Sequence, residues 1–194
     1  MPRSKEKVSA RLQQAALDLY QERGYDLTTA AEIAARAGVT ERTFFRHFAD
    51  KREVLFGGEA PLTALLTQAV REAPAELGPL ESLFHAFRSA VPMLTENRAV
   101  SAPRRRVIAN TPQLQERELA KVRSLTSALT EALQTRGVSP LKAKLAAQVA
   151  MAATSCAFAA WIDEGSDDLD VQLCKAFHEV RDLCVFATEA PQAK

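Results

Sequence analysis

The fold is decided by the stretch VTERTFFRHFADKREVLF, which runs from Val39 to Phe56. Two charged residues, Glu41 and Arg42, stand just before the paired aromatic residues Phe44 and Phe45. A helix buried on all sides would not carry these charges, and a fully solvated helix would not carry so many phenylalanines. The segment therefore predicts a short helix that is anchored in a core on one face and offers its other face to a charged partner.

A second short helix is predicted immediately before this segment. Thr29 and Glu32 have the spacing of a capping box, and Gly38 allows the tight turn that would end the helix. Two short helices joined by a glycine-containing turn are typical of a helix-turn-helix motif, whose second helix enters the major groove of DNA. In such a motif Phe44 and Phe48 would point back into the domain and anchor the second helix.

The first residues of the second helix are the candidates for reading base edges. Arg42 can donate two hydrogen bonds to guanine, and Glu41 can accept one from cytosine or pair with Arg42 instead. Thr40 and Thr43 can contact a phosphate or a thymine methyl group.

Other residues are candidates for contacting the DNA backbone. Arg46, His47 and Lys51 follow the base-reading positions, where the chain would leave the groove, and His47 has a purely structural role as its alternative. Lys51 is also predicted to open the next helix, whose first amides would attract a phosphate. Thr29 is expected to cap its helix, and it is in addition a candidate for a phosphate contact.

The run TTAAEIAARAGVTERTFFRHFADKREVLF, at residues 28–56, resembles the DNA-binding domain of TetR/AcrR-family regulators, and the resemblance covers residues 8–56. It implies an N-terminal domain, residues 1–55, and a helical effector-binding and dimerisation domain, residues 56–190, whose last two helices pair across a two-fold axis. Many family members have a tyrosine at the position of Phe45, with a hydroxyl that touches a phosphate. Phe45 lacks this hydroxyl, so it ranks lower among the candidate DNA contacts.

The rest of the sequence predicts an all-α fold of about nine helices, with a three-helix DNA-binding domain first. We find no alternating strand pattern, and glycine is scarce. The fourth helix is predicted to begin at Asp50, with Glu53 completing a second capping box. The predicted helices cover approximately residues 4–23, 29–38, 40–47, 50–71, 80–94, 97–108, 112–136, 140–163 and 168–188.

Charge is distributed unevenly along the 194 residues, although the formal net charge is only +1. Residues 1–11 contain Arg3, Lys5, Lys7 and Arg11 against a single acidic residue, whereas residues 161–190 are strongly acidic. The basic footprint for nucleic acid must therefore be local, and it lies near the N-terminus.

The sequence predicts a cytoplasmic protein without a membrane segment. No apolar run reaches the roughly 18 residues of a membrane span, and no signal peptide is recognisable. Cys156, Cys174 and Cys184 have no spacing typical of metal ligands, so we expect three core thiols in a reducing compartment. A redox-sensing role for Cys156 is the alternative.

An effector pocket is expected among the bulky residues that follow the DNA-binding domain. Pockets between helices are mainly apolar with a few polar groups, so a mostly apolar small molecule is expected there. Arg106, within PRRRV, could pair with an anionic effector, or it could belong to a solvated face. The candidates are Phe84, Phe87, Met93, Arg106, Met151, Phe158 and Trp161.

The last two predicted helices are candidates for a dimer interface. Both are apolar well beyond a single stripe, so one subunit would cover only part of their surface. The alternative is that they form the buried centre of a monomer. The candidate interface residues are Leu145, Val149, Ala153, Leu173, Phe177, Val180 and Cys184.

The motif, together with what the resemblance implies, favours a homodimeric transcriptional repressor that binds a palindromic DNA operator and is released by a small-molecule effector. A transcriptional activator and an effector-independent DNA-binding protein remain as alternatives. An enzyme is the least favoured class, because we find no GxSxG motif, no metal-ligand cluster and no nucleotide-binding glycine loop. Catalytic residues, cofactors and metals are therefore not expected.

Overall fold

The computed structural model describes residues 2–96, 98–163 and 168–183, and every regular element in these residues is helical. This confirms the predicted all-α fold with an N-terminal helix-turn-helix. The α-helices are α1 Pro2–Arg23, α2 Ala30–Arg36, α3 Glu41–His47, α4 Glu59–Glu72, α5 Pro79–Ser89, α6 Val91–Thr95, α7 Arg98–Ala109, α8 Pro112–Thr135, α9 Pro140–Asp163 and α10 Leu169–Leu183.

The prediction of one continuous helix from residue 50 to residue 71 is wrong. A 3-10 turn covers Glu53–Phe56, and α4 begins only at Glu59. A Cβ atom on Gly57 would lie 2.8 Å from the Gln13 amide nitrogen and 3.0 Å from the Phe48 ring, so a larger residue would displace the flexible Gln13 side chain and crowd the Phe48 ring. Two successive glycines, Gly57 and Gly58, disfavour a helix at this point, and the chain turns here.

The predicted fifth helix, residues 80–94, is also divided. It ends at Ser89, and the short helix α6 follows from Val91 to Thr95. Pro92 has no amide hydrogen to donate to the preceding turn, which explains why the helix is interrupted at this point. Pro103, in contrast, is accommodated inside α7.

The chain forms two compact units, and α4 and α8 each contribute residues to both. Unit 1 comprises Met1–Ala64 with Met93–Leu125, and unit 2 comprises Leu65–Pro92 with Thr126–Lys194. The core of unit 1 joins the helix-turn-helix to residues of α7 and α8. Its buried members are Leu12, Ala15, Ala16, Leu17, Leu19, Tyr20, Tyr25, Ile33, Ala34, Ala37, Phe44, Phe48, Val54, Leu55, Phe56, Val107, Ile108 and Leu114.

Unit 2 is built on α5, α9 and α10, which pack against one another. The Phe84 ring of α5 lies 4.9 Å from the Phe177 ring of α10, centroid to centroid. Arg88 donates two hydrogen bonds to the Asp170 carboxylate, at 2.6 and 2.7 Å, and these hold the pKa of Asp170 below its ordinary value. The buried face of α9 consists of small residues and one indole: Ala143, Ala147, Ala150, Ala153, Ala157 and Trp161.

The segment Pro140–Ile162 of α9 is long and apolar enough to cross a membrane by length and composition alone. The sequence-based expectation that no apolar run reaches this length overlooked how few charged residues the segment contains. Core helices of non-membrane proteins pass the same test, and α9 packs along α5 and α10 inside unit 2. Only 28% of its most apolar 18-residue window is buried, so much of the helix surface is exposed in the single chain.

The cysteines depart from the predicted core position. Cys156 and Cys174 are both exposed, so they are not core thiols, and Cys184 lies outside the described residues. Each of the two faces outward because the neighbouring helix positions, such as Ala157 and Leu173, take up the buried faces of α9 and α10.

Candidate DNA-binding site

Helix α2 begins with the predicted capping box. The Thr29 hydroxyl accepts a hydrogen bond from the Glu32 amide at 3.3 Å, and the Glu32 carboxylate accepts one from the Thr29 amide at 2.9 Å. Arg23 of α1 forms an ion pair with the same carboxylate at 2.8 Å. The hydrogen bonds from Thr29 lower the pKa of Glu32, so the cap is made by the charged carboxylate at neutral pH. Thr29 is thereby confirmed as a cap.

The turn between α2 and α3 is tight and depends on Gly38, which has a positive φ of 66°. The amides of Gly38 and Val39 donate to the carbonyls of Ala35 and Ala34, at 3.0 and 2.9 Å. This is the arrangement that ends a helix with a glycine in the left-handed region. The turn sets the direction in which α3 leaves α2.

Helix α3 is anchored by its aromatic residues, as predicted. Phe44 is fully buried and Phe48 nearly so, with their ring centroids 5.8 Å apart. Thr40 caps the helix by accepting from the Thr43 amide at 3.2 Å, and their hydroxyls lie 3.0 Å apart. With one face fixed in the core of unit 1, α3 presents its other face to solvent.

The outward face of α3 carries unsatisfied positive charge. Arg42 and Arg46 are exposed, and among the described residues neither has a hydrogen bond or an ion pair. Glu41 is exposed as well and does not pair with Arg42 in the described part of the chain. Phe45 is 53% exposed and touches the Phe44 ring edge-on, so its outer surface is free to pack against a sugar.

Two of the residues predicted to contact the DNA backbone, His47 and Lys51, lie in surroundings that differ from those predicted. His47 is partly buried, with its ring 6.3 Å from that of Phe48. Lys51 lies in a turn instead of opening a helix, and its ammonium group donates to the carbonyls of Tyr25 and Thr28 at 2.9 and 3.0 Å. The cation that the sequence places against a phosphate is therefore already bound inside the protein.

An ion pair between α1 and α2 was not foreseen from the sequence. Arg36 donates to both oxygens of Glu22, at 2.8 and 2.7 Å, and this lowers the pKa of Glu22. The two residues are 14 positions apart on different helices, so no helical spacing connects them. The pair fixes the exposed side of the helix-turn-helix against α1.

A cluster of charges surrounds Phe56, directly after the motif. The guanidinium groups of Arg104 and Arg117 lie 5.1 and 4.8 Å from the centre of the Phe56 ring. Arg117 also binds the carboxylates of Glu53 and Glu59, at 2.6 and 2.5 Å. These interactions join the 3-10 turn and the start of α4 to α7 and α8 within unit 1.

The effector candidates fall in different surroundings. Phe87 and Trp161 are buried, and Phe158 packs on Trp161 with ring centroids 5.2 Å apart. Phe84 lines a groove of about 530 Å³ beside Arg88 in unit 2. The remaining candidates are Met151, which is partly buried, Met93, which is exposed, and Arg106, which lines a separate groove of about 540 Å³ in unit 1.

The candidate dimer residues are divided between the interior and the surface of the chain. Leu173 and Phe177 are buried inside unit 2, as is Ala153, so their side chains already have partners within the subunit. Leu145 is 52% exposed and Val149 is partly buried, both on α9. Val180 is partly buried, and Cys184 lies outside the described residues. The dimer interface remains a prediction. Among its candidate residues, those on the outward face of α9 are the ones that a second subunit could still contact.

Comparison with known families agrees with this architecture. The model described as bacterial regulatory proteins of the tetR family matches residues 12–56. A second model, described as the MftR C-terminal domain, matches residues 77–184, which is more than half of the chain. The two matches together cover the helix-turn-helix and most of the helical region that follows it.

Curated relatives match a shorter part of this chain than the family models do. The chain is 38% identical over 76 residues to the HTH-type transcriptional regulator TcmR of Streptomyces glaucescens, covering 39% of this chain and 34% of TcmR. It is 40% identical over 78 residues to the HTH-type transcriptional repressor Rv3405c of Mycobacterium tuberculosis, covering 40% of this chain and 42% of the relative. The match thus spans well under half the length of these curated relatives.

A solved structure matches over nearly the whole chain. Thermus thermophilus FadR, described as a TetR family transcriptional repressor in complex with lauroyl-CoA, superimposes with a TM-score of 0.55 at 25% identity, covering 96% of this chain and 99% of FadR. The fold, the helix-turn-helix geometry and both family matches lead to one assignment. The chain belongs to the TetR family of bacterial transcriptional regulators, with a C-terminal region of the MftR type.

Proposed function

We propose that the chain is a homodimeric repressor that binds a palindromic operator through α3 and releases it when a small molecule binds. The observation that carries the DNA-binding part is the outward face of α3. Arg42 and Arg46 are exposed there without protein partners in the described residues, while Phe44 and Phe48 hold the helix from behind. Guanidinium groups presented in this way suit guanine edges and phosphates.

Within this proposal, Arg42 reads a guanine and Glu41 accepts from a cytosine in the same groove. Thr40, whose hydroxyl caps α3, and Thr43 approach the DNA with their methyl groups toward a thymine methyl group, and Arg46 binds a phosphate. Phe45 packs against a sugar. Residues 1–55 act as the DNA-binding domain, and the site lies in the cytoplasm, where the operator is.

The repressor assignment draws on a relative, since Rv3405c is described as a repressor. A transcriptional activator would use the same DNA-binding surface, and nothing in the geometry of α3 separates the two. We prefer the repressor because two matching proteins, Rv3405c and FadR, carry that description.

A two-fold dimer is supported by the outward face of α9. This face presents an apolar row at helical spacing that is exposed in the single chain, namely Leu141, Leu145, Ala152 and Cys156 with Gln148 between them. Such a face on a helix that is already packed on its other side is typical of a subunit interface. A second copy of this chain would cover it and would place two copies of α3 on one operator.

The effector proposed here is mostly apolar and binds in the region of residues 56–190. FadR is described in complex with lauroyl-CoA, a molecule with a long acyl chain. In this chain Leu77 and Phe84 line the groove between α5 and α10 and offer apolar surface beside Arg88, whose charge is balanced by its ion pair with Asp170. We therefore propose a mostly apolar effector that packs against this apolar surface.

The effector proposal is tested with lauroyl-CoA as the probe and coenzyme A as the control. Binding should raise the unfolding midpoint of the chain and should release it from operator DNA in the same concentration range. If a panel of acyl chains and other apolar acids changed neither quantity, the protein would be an effector-independent DNA-binding protein.

The DNA-binding proposal is tested by the salt dependence of affinity for double-stranded DNA. The logarithm of the association constant should fall by about 0.9 per logarithmic unit of salt for each phosphate that the protein binds, and several such phosphates are expected per dimer. Fluorescence anisotropy at four or more salt concentrations measures this slope. Binding that is insensitive to salt would contradict the proposal.

A further inference from the structure

Two basic residues of the N-terminal region, Arg11 and Lys51, bind backbone carbonyls within unit 1, although the sequence predicts a phosphate contact for Lys51. The Lys51 ammonium donates to the carbonyls of Tyr25 and Thr28, and it lies 4.2 Å from the centre of the Tyr25 ring. The backbone of Lys51 is held in turn, because its carbonyl accepts a hydrogen bond from the Tyr20 hydroxyl at 2.5 Å. The loop between α1 and α2 is thus fastened to the segment that follows α3.

Arg11 makes the corresponding interaction at the other end of α2. Its guanidinium group donates to the carbonyl of Ala37 and lies 3.5 Å from that of Gly38. A Cβ atom on Gly38 would come within 2.7 Å of the same guanidinium nitrogen, so the side chain rests directly on the turn. The last carbonyls of a helix lack partners within the helix, and a cation there is favourable.

Helices α2 and α3 have only seven residues each, too few to hold a helix in water without tertiary support. The direction of α3 therefore depends on the loops at the two ends of α2. Lys51 holds the loop before α2, and Arg11 holds the turn after it. Exposed Arg46, in contrast, has no protein partner among the described residues and is free to bind a phosphate.

We propose that Arg11 and Lys51 are positioning residues that hold the two loops flanking α2, and that they do not bind DNA phosphates. This inference rests on the proposed DNA-binding function. It divides the basic residues near the motif into two classes, those that touch DNA and those that orient the helix that touches it. The two classes respond differently to salt, since only a residue that binds a phosphate releases counterions from DNA.

The test compares Arg11→Met and Lys51→Met with Arg46→Met as the matched control. Affinity for a selected operator and for an unrelated duplex is measured over a range of salt concentrations. Arg46→Met should lower both affinities alike and reduce the salt slope by about 0.9 for each phosphate that is no longer bound. Arg11→Met and Lys51→Met should weaken the operator complex on the order of fivefold per half-site, with a change in slope less than half that of the control.

Charge-preserving variants provide a second test of the proposal, and its result can be interpreted even if the variants lose a little stability. Arg11→Lys and Lys51→Arg keep the charge that a phosphate needs, but they change the geometry on which the hydrogen bonds to the loops depend. Both should lower operator affinity while leaving affinity for the unrelated duplex unchanged. If operator affinity were unchanged in one of these variants, or if its salt dependence fell as much as in Arg46→Met, the positioning role of that residue would be overturned.

Amide hydrogen exchange probes the same two loops without DNA. Exchange at Gly38 and Val39 should accelerate in Arg11→Met, and exchange at Thr28 should accelerate in Lys51→Met, because these amides donate within the loops concerned. Unaltered exchange would overturn the proposal. If the unmodified chain bound no DNA at all, the proposed function would fail, while the exchange data would still show whether the two side chains hold the loops.

Discussion

At the scale of single residues, the candidate DNA-binding surface depends on side chains with sharply different tasks. Phe44 is fully buried and orients α3, whereas Arg42, two positions earlier, is exposed and has no protein partner among the described residues. Gly38 turns the chain between the two helices with a φ that other residues adopt only with strain. Substitutions at these positions should therefore affect different quantities.

Arg42→Ala should cost about 1–3 kcal/mol of binding free energy per half-site and relax the preference at a single base pair. The reason is the loss of two directed hydrogen bonds to one guanine. Arg46→Ala is the control, and it should weaken all duplexes alike. The measurement is a titration against operators with every base at each position. An unchanged pattern of preferences would remove Arg42 from the base-reading residues.

Three glycine substitutions separate backbone strain from crowding. Gly24→Ala should cost about 1–2 kcal/mol of unfolding free energy, because its φ is positive at 86° and nothing lies near the new Cβ. Gly38→Ala should cost more, since its Cβ would also displace the Arg11 guanidinium from the carbonyl of Ala37. Gly58→Ala, with open space and no positive φ, should change stability by less than about 0.5 kcal/mol. Chemical denaturation measures all three. Equal effects at positions 24 and 38 would contradict the packing of Arg11 on the turn.

The residues of the candidate site differ in how far the sequence predicts them. The capping box of Thr29 and Glu32 and the anchoring by Phe44 follow from spacing along one helix, so they were predictable. The hydrogen bonds of Arg11 and Lys51 join groups that are 23 to 26 positions apart, and local patterns carry no information about them. Lys51 also illustrates that a basic residue beside a DNA-binding motif can be taken up by the protein itself.

At the scale of elements, the 3-10 turn Glu53–Phe56 is the junction between the helix-turn-helix and the helices after it. Within unit 1, Arg117 of α8 binds carboxylates on both sides of this turn, and its guanidinium group packs over the Phe56 ring. Glu118 and Lys121 of α8 add a weaker pair at 3.4 Å; burial lowers the pKa of Lys121. The turn is thereby held by charges that are only partly accessible to water.

Arg117→Met should lower the unfolding free energy by about 2 kcal/mol, because it leaves the carboxylates of Glu53 and Glu59 without their shared partner. This expected loss of unfolding free energy is smaller than that for a fully buried ion pair, since the three side chains remain 22–31% exposed to solvent. Arg123→Met, on an exposed position of the same helix, is the control and should be nearly neutral. Equal stabilities of the two variants in urea would show that the pair does not stabilise the turn.

Most elements were predictable from helical periodicity, and the exceptions have local causes. Seven of the nine proposed helices recur in the described residues with boundaries shifted by a few residues, including long α8 and α9. The break at Gly57 had a local signal in the two successive glycines, Gly57 and Gly58, which disfavour a helix. The break before Val91 had a visible signal in Pro92, which the apolar stripe of the predicted helix outweighed.

At the scale of the whole molecule, the outward face of α9 is the strongest indication of self-association. Leu141 and Leu145 are 71% and 52% exposed on a helix with few charges. The opposite side of the same helix is buried within unit 2, so only the outward side is available to a second subunit. Sequence periodicity found the helix but could not tell its inner face from its outer face, because alanines lie on both.

Leu145→Asp should convert the dimer to a monomer and weaken operator binding, because a charge on the paired face would be buried without a partner. Leu119→Asp, at a leucine of α8 that is 65% exposed, is the control and should remain dimeric. Light scattering at micromolar concentration measures the mass of both. Phe177→Asp is unsuited to this purpose, since Phe177 is buried in the subunit and its loss would unfold the chain.

The most direct measurement of the central claim is selection of DNA from a random pool by the purified chain, followed by sequencing. A two-fold dimer that reads DNA with α3 should enrich two inverted half-sites whose centres lie about 10–10.5 base pairs apart, or a multiple of that distance. Arg42→Ala should then change the same position in both half-sites. Enrichment of a single unrepeated half-site, or of no sequence at all, would contradict the account.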